Sequence, residues 1–344
     1  MSGAVEVFLD ETPGETRGAI MRDGRFTHLL IHREDDAAQT RLGARSVGRA
    51  IEVNPGLRGA FVDIAAPAAA FRPFPRNDRI TPGQRLEVVV TAEPRAEKGA
   101  VVRRLGPGEG TPHLIQPATS IAEQLRDLAP GEESVTGIAA IDAVVEAEEE
   151  ALAQSIVFAS HGIDLAIERT RALVAVDIDF ASTPGRDPKQ ARAAANREGL
   201  KQAARLIGLR NWGGLVVIDM VGDGTDAEAQ SMIVRAAFGH EPQAVFGPVS
   251  RFGLLQMSLP WRRTPIEEIL FDDGGRLSVQ TRAISVVRAL RRQLLVDTLS
   301  PRIIARCAPD EALIAYPLAA SLGPRAVIQA DAAIPQGRGR IEEG

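Results

Sequence analysis

Two apolar runs that each carry aspartate constrain this chain more than any other feature. Residues 173–180 read LVAVDIDF, residues 213–224 read GGLVVIDMVGDG, and between them lies one strongly amphipathic stretch, PKQARAAANREGLKQAARLIGLRN at 188–211, with Pro188 near its start. Strand, helix and strand in that order predict a parallel βαβ unit, because a single helix is long enough for the right-handed crossover between neighbouring strands. A carboxylate in an apolar strand is costly unless it is paired or protonated, so Asp177, Asp179 and Asp219, with Asp223 just beyond, call for compensation. Two kinds offer themselves. The aspartates can cap turns or neutralise Arg169, Arg171 or Arg210; alternatively, gathered at neighbouring strand ends where open α/β sheets place their sites, they can share a cation. Hard carboxylate ligands without Cys or paired His point to Mg2+ or Mn2+, which bind through few carboxylates plus water and substrate phosphate. Such an ion can polarise a phosphate oxygen and lower the pKa of bound water, the chemistry of phosphodiester hydrolysis.

The rest of the chain changes period several times. AVEVFLD (4–10) and FTHLLIH (26–32) read as strands, with the Asp23-Gly24 turn between them. From 45 to 105 short strands follow one another: SVGRAIEVNPGLRGAFVDIA with its turn at Asn54-Pro55-Gly56, then AAAFRPFP, then QRLEVVVTAEPRAEKGAVVRRL opened by Pro82-Gly83. Evenly spaced strands with Gly and Pro punctuation predict a small closed barrel, and an oligonucleotide-binding barrel suits it. Residues 106–117 read as a linker, 118–157 as mostly helix, and 162–180 as two strands around a Glu168-Arg169-Thr170 turn. Beyond the second aspartate strand come a helix at 225–239, a strand at 244–250, a short helix at 264–270 and a helix at 281–295. Strands at 301–307 and 325–330 then flank a helix at 309–323, and PQGRGRIEEG at 335–344 reads as frayed. Strands alternating with helices place the chain in the α/β class with several subdomains.

With 344 residues, 44% of them apolar, the chain can bury more than one core. Cys307 is the only cysteine, which excludes an internal disulfide and a Cys-cluster zinc site. No run is long and apolar enough to cross a bilayer and the start lacks a signal sequence, so a cytoplasmic location without membrane attachment is the expectation. The net charge of −5 weighs mildly against a nucleic-acid partner, yet VVRRL (101–105), PWRRT (260–264) and RALRRQ (288–293) are basic spots that can form a local positive face. His28, His32, His113, His161 and His240 show no metal-ligand spacing. Phe61 and Phe71 sit in alternating strands, where they either pack a core or, with Lys98, Arg103 and Arg104 nearby, stack bases. Ser250 and Arg251 in VSRFGLLQMS are placed to meet a phosphate, which arginine grips with two hydrogen bonds.

Taken in order, GRAIEVNPGLRGAFVDIA (48–65), AEPRAEKGA (92–100), LVAVDIDF, NREGLKQAARLIGLRNWGGLVVIDM (196–220) and SRFGLLQMS (250–258) resemble the ribonuclease E/G family of bacterial endoribonucleases, up to about residue 258 and more faintly through the tail. The resemblance implies an S1-type oligonucleotide-binding barrel (39–112) inserted in a ribonuclease H-like subdomain (1–38 and 113–160). A deoxyribonuclease I-like catalytic subdomain (161–280) and a small α+β tail domain (281–344) would follow. It implies one Mg2+ held by Asp177 and Asp219 that activates water to cut single-stranded RNA. Family members carry asparagine two residues after the first aspartate, where this chain has Asp179, a third candidate catalytic residue. RNA-stacking aromatics fall on Phe61 and Phe71, a basic loop residue on Lys98 and a further RNA contact on Arg251.

The chain departs from the family pattern in two more places. Nothing in 106–157 corresponds to the insert that senses a 5′-monophosphate, and LPWRRTPIEEILFDDGG (259–275) stands where the family has its CPxC zinc-link, so neither zinc nor zinc-tethered dimers are expected. The C-terminal region remains the place for a homodimer contact. The leading expectation is a compact Mg2+-dependent endoribonuclease acting in RNA processing; the alternatives are an RNA-binding protein of the same fold with lost or weak catalysis, and a scaffold protein.

Overall fold

The computed structural model of the protein describes residues 4–75, 80–158, 162–181, 187–222 and 227–344. The chain forms two compact units, one built from Met1–Glu148 and Thr264–Gly344, the other from Glu149–Arg263. The first unit opens with an antiparallel meander of β1 (Val5–Thr12), β2 (Glu15–Arg22) and β3 (Arg25–Arg33). The sequence pattern shows only the outer two. β2 begins with Glu15 and Arg17, both buried, so its polar letters conceal a core strand.

β4 (Arg45–Asn54), β5 (Gly59–Asp63), β6 (Ala70–Pro73), β7 (Arg85–Ala92) and β8 (Val101–Pro107) pair in the order β5-β6-β8-β7-β4, and β5 also pairs with β4. That last pairing closes the sheet into the small barrel expected from the sequence, here of five strands, which leaves no open edge between its first and last strands. Alternate residues Val62, Leu86, Val88, Val90 and Val102 fill its interior. The stretch 106–117 is more than a linker: β9 (His113–Gln116) lies antiparallel to β4, with Val47 opposite His113. Next, α1 (Ile121–Leu128) starts at a capping box between Ser120 and Glu123 and buries Ile121 and Leu125 against Val7, Ile20 and Leu30 of the meander. β10 (Ser134–Val135) extends the meander parallel to β1, and α2 (Ile138–Leu152) ends before residues 155–158, which are strand rather than helix.

The second unit is a six-stranded mixed sheet ordered β11-β12-β13-β14-β16-β15: β11 (Ser155–Phe158), β12 (Ile163–Arg169), β13 (Val174–Phe180), β14 (Gly214–Asp219), β15 (Val245–Phe246) and β16 (Leu255–Leu259). Its helices are α3 (Pro188–Leu209) and α4 (Ala227–Phe238). β13 and β14 are parallel with α3 between them in sequence, which is the expected βαβ unit. Asp187 caps α3 by accepting from the Lys189 amide at 2.9 Å. At the other end Asn211 turns left-handed (φ 58°) and the Trp212 amide reaches back to the Ile207 carbonyl at 3.0 Å, so the helix stops abruptly and the chain enters β14.

From Thr264 the chain rejoins the first unit as α5 (Ile266–Leu270), α6 (Val279–Val296), β17 (Ile303–Cys307), α7 (Pro309–Ala320), β18 (Ala326–Ala330) and β19 (Arg340–Glu343). The last strand corrects the frayed end: Arg340–Glu343 pairs with β17, Ile304 opposite Glu342. A buried ion network ties α6 to the meander. Glu15 meets Arg17 at 2.5 Å, Arg33 at 2.9 Å and Arg288 at 2.7 Å. Asp10 meets Arg288 at 2.8 Å and also Arg291, and Arg17 reaches Glu148. The Arg33 guanidinium donates to Thr281 at 2.7 Å and to Gln280 at 3.1 Å. No helix among the described residues is long and apolar enough to cross a membrane.

Candidate active site

The strands of the second unit alternate cleanly. Val174, Val176 and Ile178 of β13 and Val216 and Ile218 of β14 are buried, whereas Asp177, Asp179 and Asp219 stand on the opposite, exposed face. The carboxylates are therefore not inside the core, and their interruption of the apolar run is the two-residue period of a strand with one wet face. The buried face of β13 packs beneath α3. Gly199 of that helix lies so close to β13 that a Cβ there would sit 2.6 Å from Ile178 Cγ2, so the tight seat of the helix requires glycine.

Register decides which aspartates meet. In the parallel ladder Asp177 stands directly beside Asp219, on strands about 4.8 Å apart. Asp179 is two residues further along the same face and faces Asp164 of β12, which accepts a hydrogen bond from Ser155 at 2.8 Å. Burial and the nearby charges of Asp179, Asp219 and Asp164 push the Asp177 carboxyl above the ordinary carboxylate range. Among the described residues none hydrogen-bonds or ion-pairs with Asp177, Asp179 or Asp219, and no group of three or more His, Cys, Asp and Glu gathers as a metal cage. Asp223 and His161 lie outside the described residues.

The arginine alternative does not hold. Arg210 is buried, donates to the carbonyls of Ile167 (3.1 Å) and Ala153, and stacks on the Trp212 ring at 4.7 Å. Arg169 pairs in register with Val174, at the far end of the ladder from Asp177, and lies over the Trp261 ring at 5.9 Å; Arg171 belongs to the turn at that same far end.

Arg251 belongs to this unit too. Ile218 faces Leu255 across the ladder, so the loop 249–254 emerges at the end of β14 that carries Asp219. Arg251 is exposed, its guanidinium 4.8 Å from the centre of the Phe252 ring. Asn196 of α3, a residue the sequence did not single out, is buried and clamps the exit of β14: its amide donates to the Val221 carbonyl at 3.0 Å and accepts from the Val221 amide at 2.9 Å. An isolated Asn in an otherwise amphipathic helix is the signal that could have found it.

The remaining candidates are in the barrel. Phe61 and Phe71 are paired in register on β5 and β6, half-buried, with ring centres 5.6 Å apart and edge to face. Lys98 is exposed in the hairpin between β7 and β8, which leads to Ala100, whose carbonyl accepts from the Phe71 amide at 2.7 Å. The stretch around 264–268 holds that hairpin: Thr264 donates from its amide to Glu93 (2.9 Å) and from its hydroxyl to the Pro94 carbonyl (2.8 Å), and Glu268 accepts from the Ala96 amide at 2.6 Å.

The model of the Ribonuclease E/G family matches residues 86–261, just over half of the chain. The chain belongs to the ribonuclease E/G family. A putative ribonuclease E of Buchnera aphidicola subsp. Baizongia pistaciae is 32% identical over 130 residues, covering 36% of this chain and 32% of that protein. Ribonuclease E of Haemophilus influenzae is 36% identical over 119 residues, and that of Escherichia coli 34% over 119 residues. Those alignments cover 33% of this chain in each case and only 13% and 11% of the relatives, so the chain spans a small part of the length of the curated proteins it matches. The family span takes in Lys98, Asp177, Asp179, Asp219 and Arg251, whereas Phe61 and Phe71 precede it.

Proposed function

We propose that this ribonuclease E/G family chain is an endoribonuclease that hydrolyses phosphodiester bonds of single-stranded RNA and needs Mg2+ or Mn2+. The observation that carries the reading is the side-by-side register of Asp177 and Asp219 on an exposed face, within the span matched by the family. Two hard carboxylates, without an arginine partner among the described residues and with Asp177 raised by partial burial and by repulsion from its acidic neighbours, suit a divalent cation that keeps most of its waters. Asp177 and Asp219 would hold that ion, which when bound supplies Lewis acidity and a lowered water pKa. Asp179 adds a negative charge on the same face and tunes how strongly cations gather there.

The other residues bind and orient. Arg251 is exposed and close to the Asp219 strand end, where a guanidinium can grip a phosphate through two hydrogen bonds. Phe61 and Phe71 offer sequence-tolerant stacking on a barrel we assign to the S1 type, with Lys98 for the backbone. The same reading assigns the meander and α1 to a reduced ribonuclease H-like subdomain and the six-stranded sheet to a deoxyribonuclease I-like one. The C-terminal domain is the proposed site of any homodimer contact, without zinc, and the cytoplasm the proposed location.

The test incubates the purified protein with a labelled single-stranded RNA and Mg2+, beside Asp177→Asn and Asp219→Asn. Cutting by the parent and none by either variant is the expected result. Cutting that survives both substitutions overturns the site, and RNA binding without products in the parent moves the chain from enzyme to binding protein.

A further inference from the structure

Phe252 stands out on the surface of the second unit. It is 73% exposed, directly follows Arg251, and lies in the loop that leaves from the Asp219 end of the sheet. A single exposed apolar residue is ordinary on protein surfaces; a large aromatic ring held in a preset loop beside an acidic strand end is not. The loop is preset by its own hydrogen bonds. Ser250 donates from its amide to the Leu254 carbonyl at 2.8 Å, the Gly253 amide donates to the Ser250 carbonyl at 3.0 Å, and the Ser250 hydroxyl oxygen accepts from the Phe252 and Leu254 amides at 3.3 and 3.2 Å. The backbone that carries the ring is thus folded back on itself before any ligand arrives, which lowers the ordering cost of binding.

We propose that Phe252 is a stacking platform for one nucleobase flanking the phosphate at Asp177 and Asp219, a binding subsite separate from the Phe61–Phe71 pair of the barrel. The inference rests on the RNA reading of the acidic face. A nucleotide brings a charged phosphate and a neutral, planar base to the same place, and the carboxylates repel the phosphate unless a cation intervenes. The base suffers no such repulsion, and any base has a face that can lie on an aromatic ring whatever its sequence. The Arg251 guanidinium, 4.8 Å from the ring centre, is held against Phe252 by the same π-system and stays within reach of the adjoining phosphate. One loop then grips both halves of a nucleotide: ring on base, guanidinium on phosphate.

The experiment uses the full chain and labelled single-stranded RNA oligonucleotides in which one abasic ribose is moved along the sequence. Binding and cleavage are measured for the parent, Phe252→Ala, Phe252→Leu and Phe252→Trp. The ring is exposed, so melting curves should coincide. Phe252→Ala and Phe252→Leu are expected to weaken binding about tenfold, the usual scale for losing one stacked base, while Phe252→Trp retains it. One abasic position should weaken the parent by the same factor and leave Phe252→Ala unaffected. A leucine variant equal to the parent, or abasic and alanine losses that multiply at every position, overturns the platform while leaving the RNA reading intact. A parent that neither binds nor cuts RNA overturns both.

Discussion

Replacing Glu15 by Gln tests whether the ion network at the meander is as consequential as its burial implies. Glu15 is 1% exposed and its two carboxylate oxygens meet Arg17, Arg33 and Arg288. Burial by itself would raise its pKa, but the three guanidinium charges and the Arg33 hydrogen bond outweigh that and lower it from 4.5 to about 2. At about 1.4 kcal/mol for each tenfold change, that fall corresponds to about 3 kcal/mol of preference for the charged carboxylate in the folded state. The figure agrees with the roughly 3–5 kcal/mol typical of removing one member of a buried ion pair. A depressed carboxylate contributes stability that is complete above the unfolded value of 4.5 and disappears as pH falls through about 2. E15Q should therefore unfold about 3 kcal/mol more easily at pH 7, and the gap between variant and parent should close between pH 4.5 and 2. Both tryptophans, Trp212 and Trp261, lie in the second unit, so their fluorescence does not report this site. Hydrogen exchange of β1–β3 amides as a function of pH does. A gap below about 1 kcal/mol, or one that stays constant down to pH 2, would refute the electrostatic account and leave only packing.

Three further outcomes follow from the geometry. Asn196→Ala removes both hydrogen bonds to Val221 and should cost about 2 kcal/mol, with lost exchange protection at the Val221 amide and a weaker divalent-ion affinity measured by calorimetry; unchanged protection would show that the exit of β14 is held by other means. Gly199→Ala drives a methyl to 2.6 Å from Ile178 and should destabilise the second unit by about 1–3 kcal/mol, read from tryptophan fluorescence during urea unfolding. Glu268→Ala frees the Ala96 amide and should increase exchange in the Lys98 hairpin while costing only about 1 kcal/mol of stability, and RNA affinity measured by anisotropy should fall with it if Lys98 touches the backbone.

The sequence alone determined the local elements and their order. Alternating apolar letters mark the barrel strands, the amphipathic 188–211 stretch marks α3, and one helix between two aspartate strands requires that they run parallel. These are signals of short range, set by side-chain period and turn chemistry. Where a strand buries charge the period is lost: β2 is invisible in the sequence because Glu15 and Arg17 belong to a network completed by Arg33 of the next strand and by Arg288, far away in the chain. β9 and β19 escape notice for a related reason, since each is too short to show a period and exists only through its ladder to β4 or β17. Only the tertiary structure decided which aspartates meet. A slip of one residue in the β13–β14 register would have brought Ile178 beside Asp219; the burial of Ile178, Val216 and Ile218 on the face opposite the carboxylates, with Ile178 seated against Gly199 of α3, holds Asp177 there instead, because each buried side chain fixes the face of its neighbour.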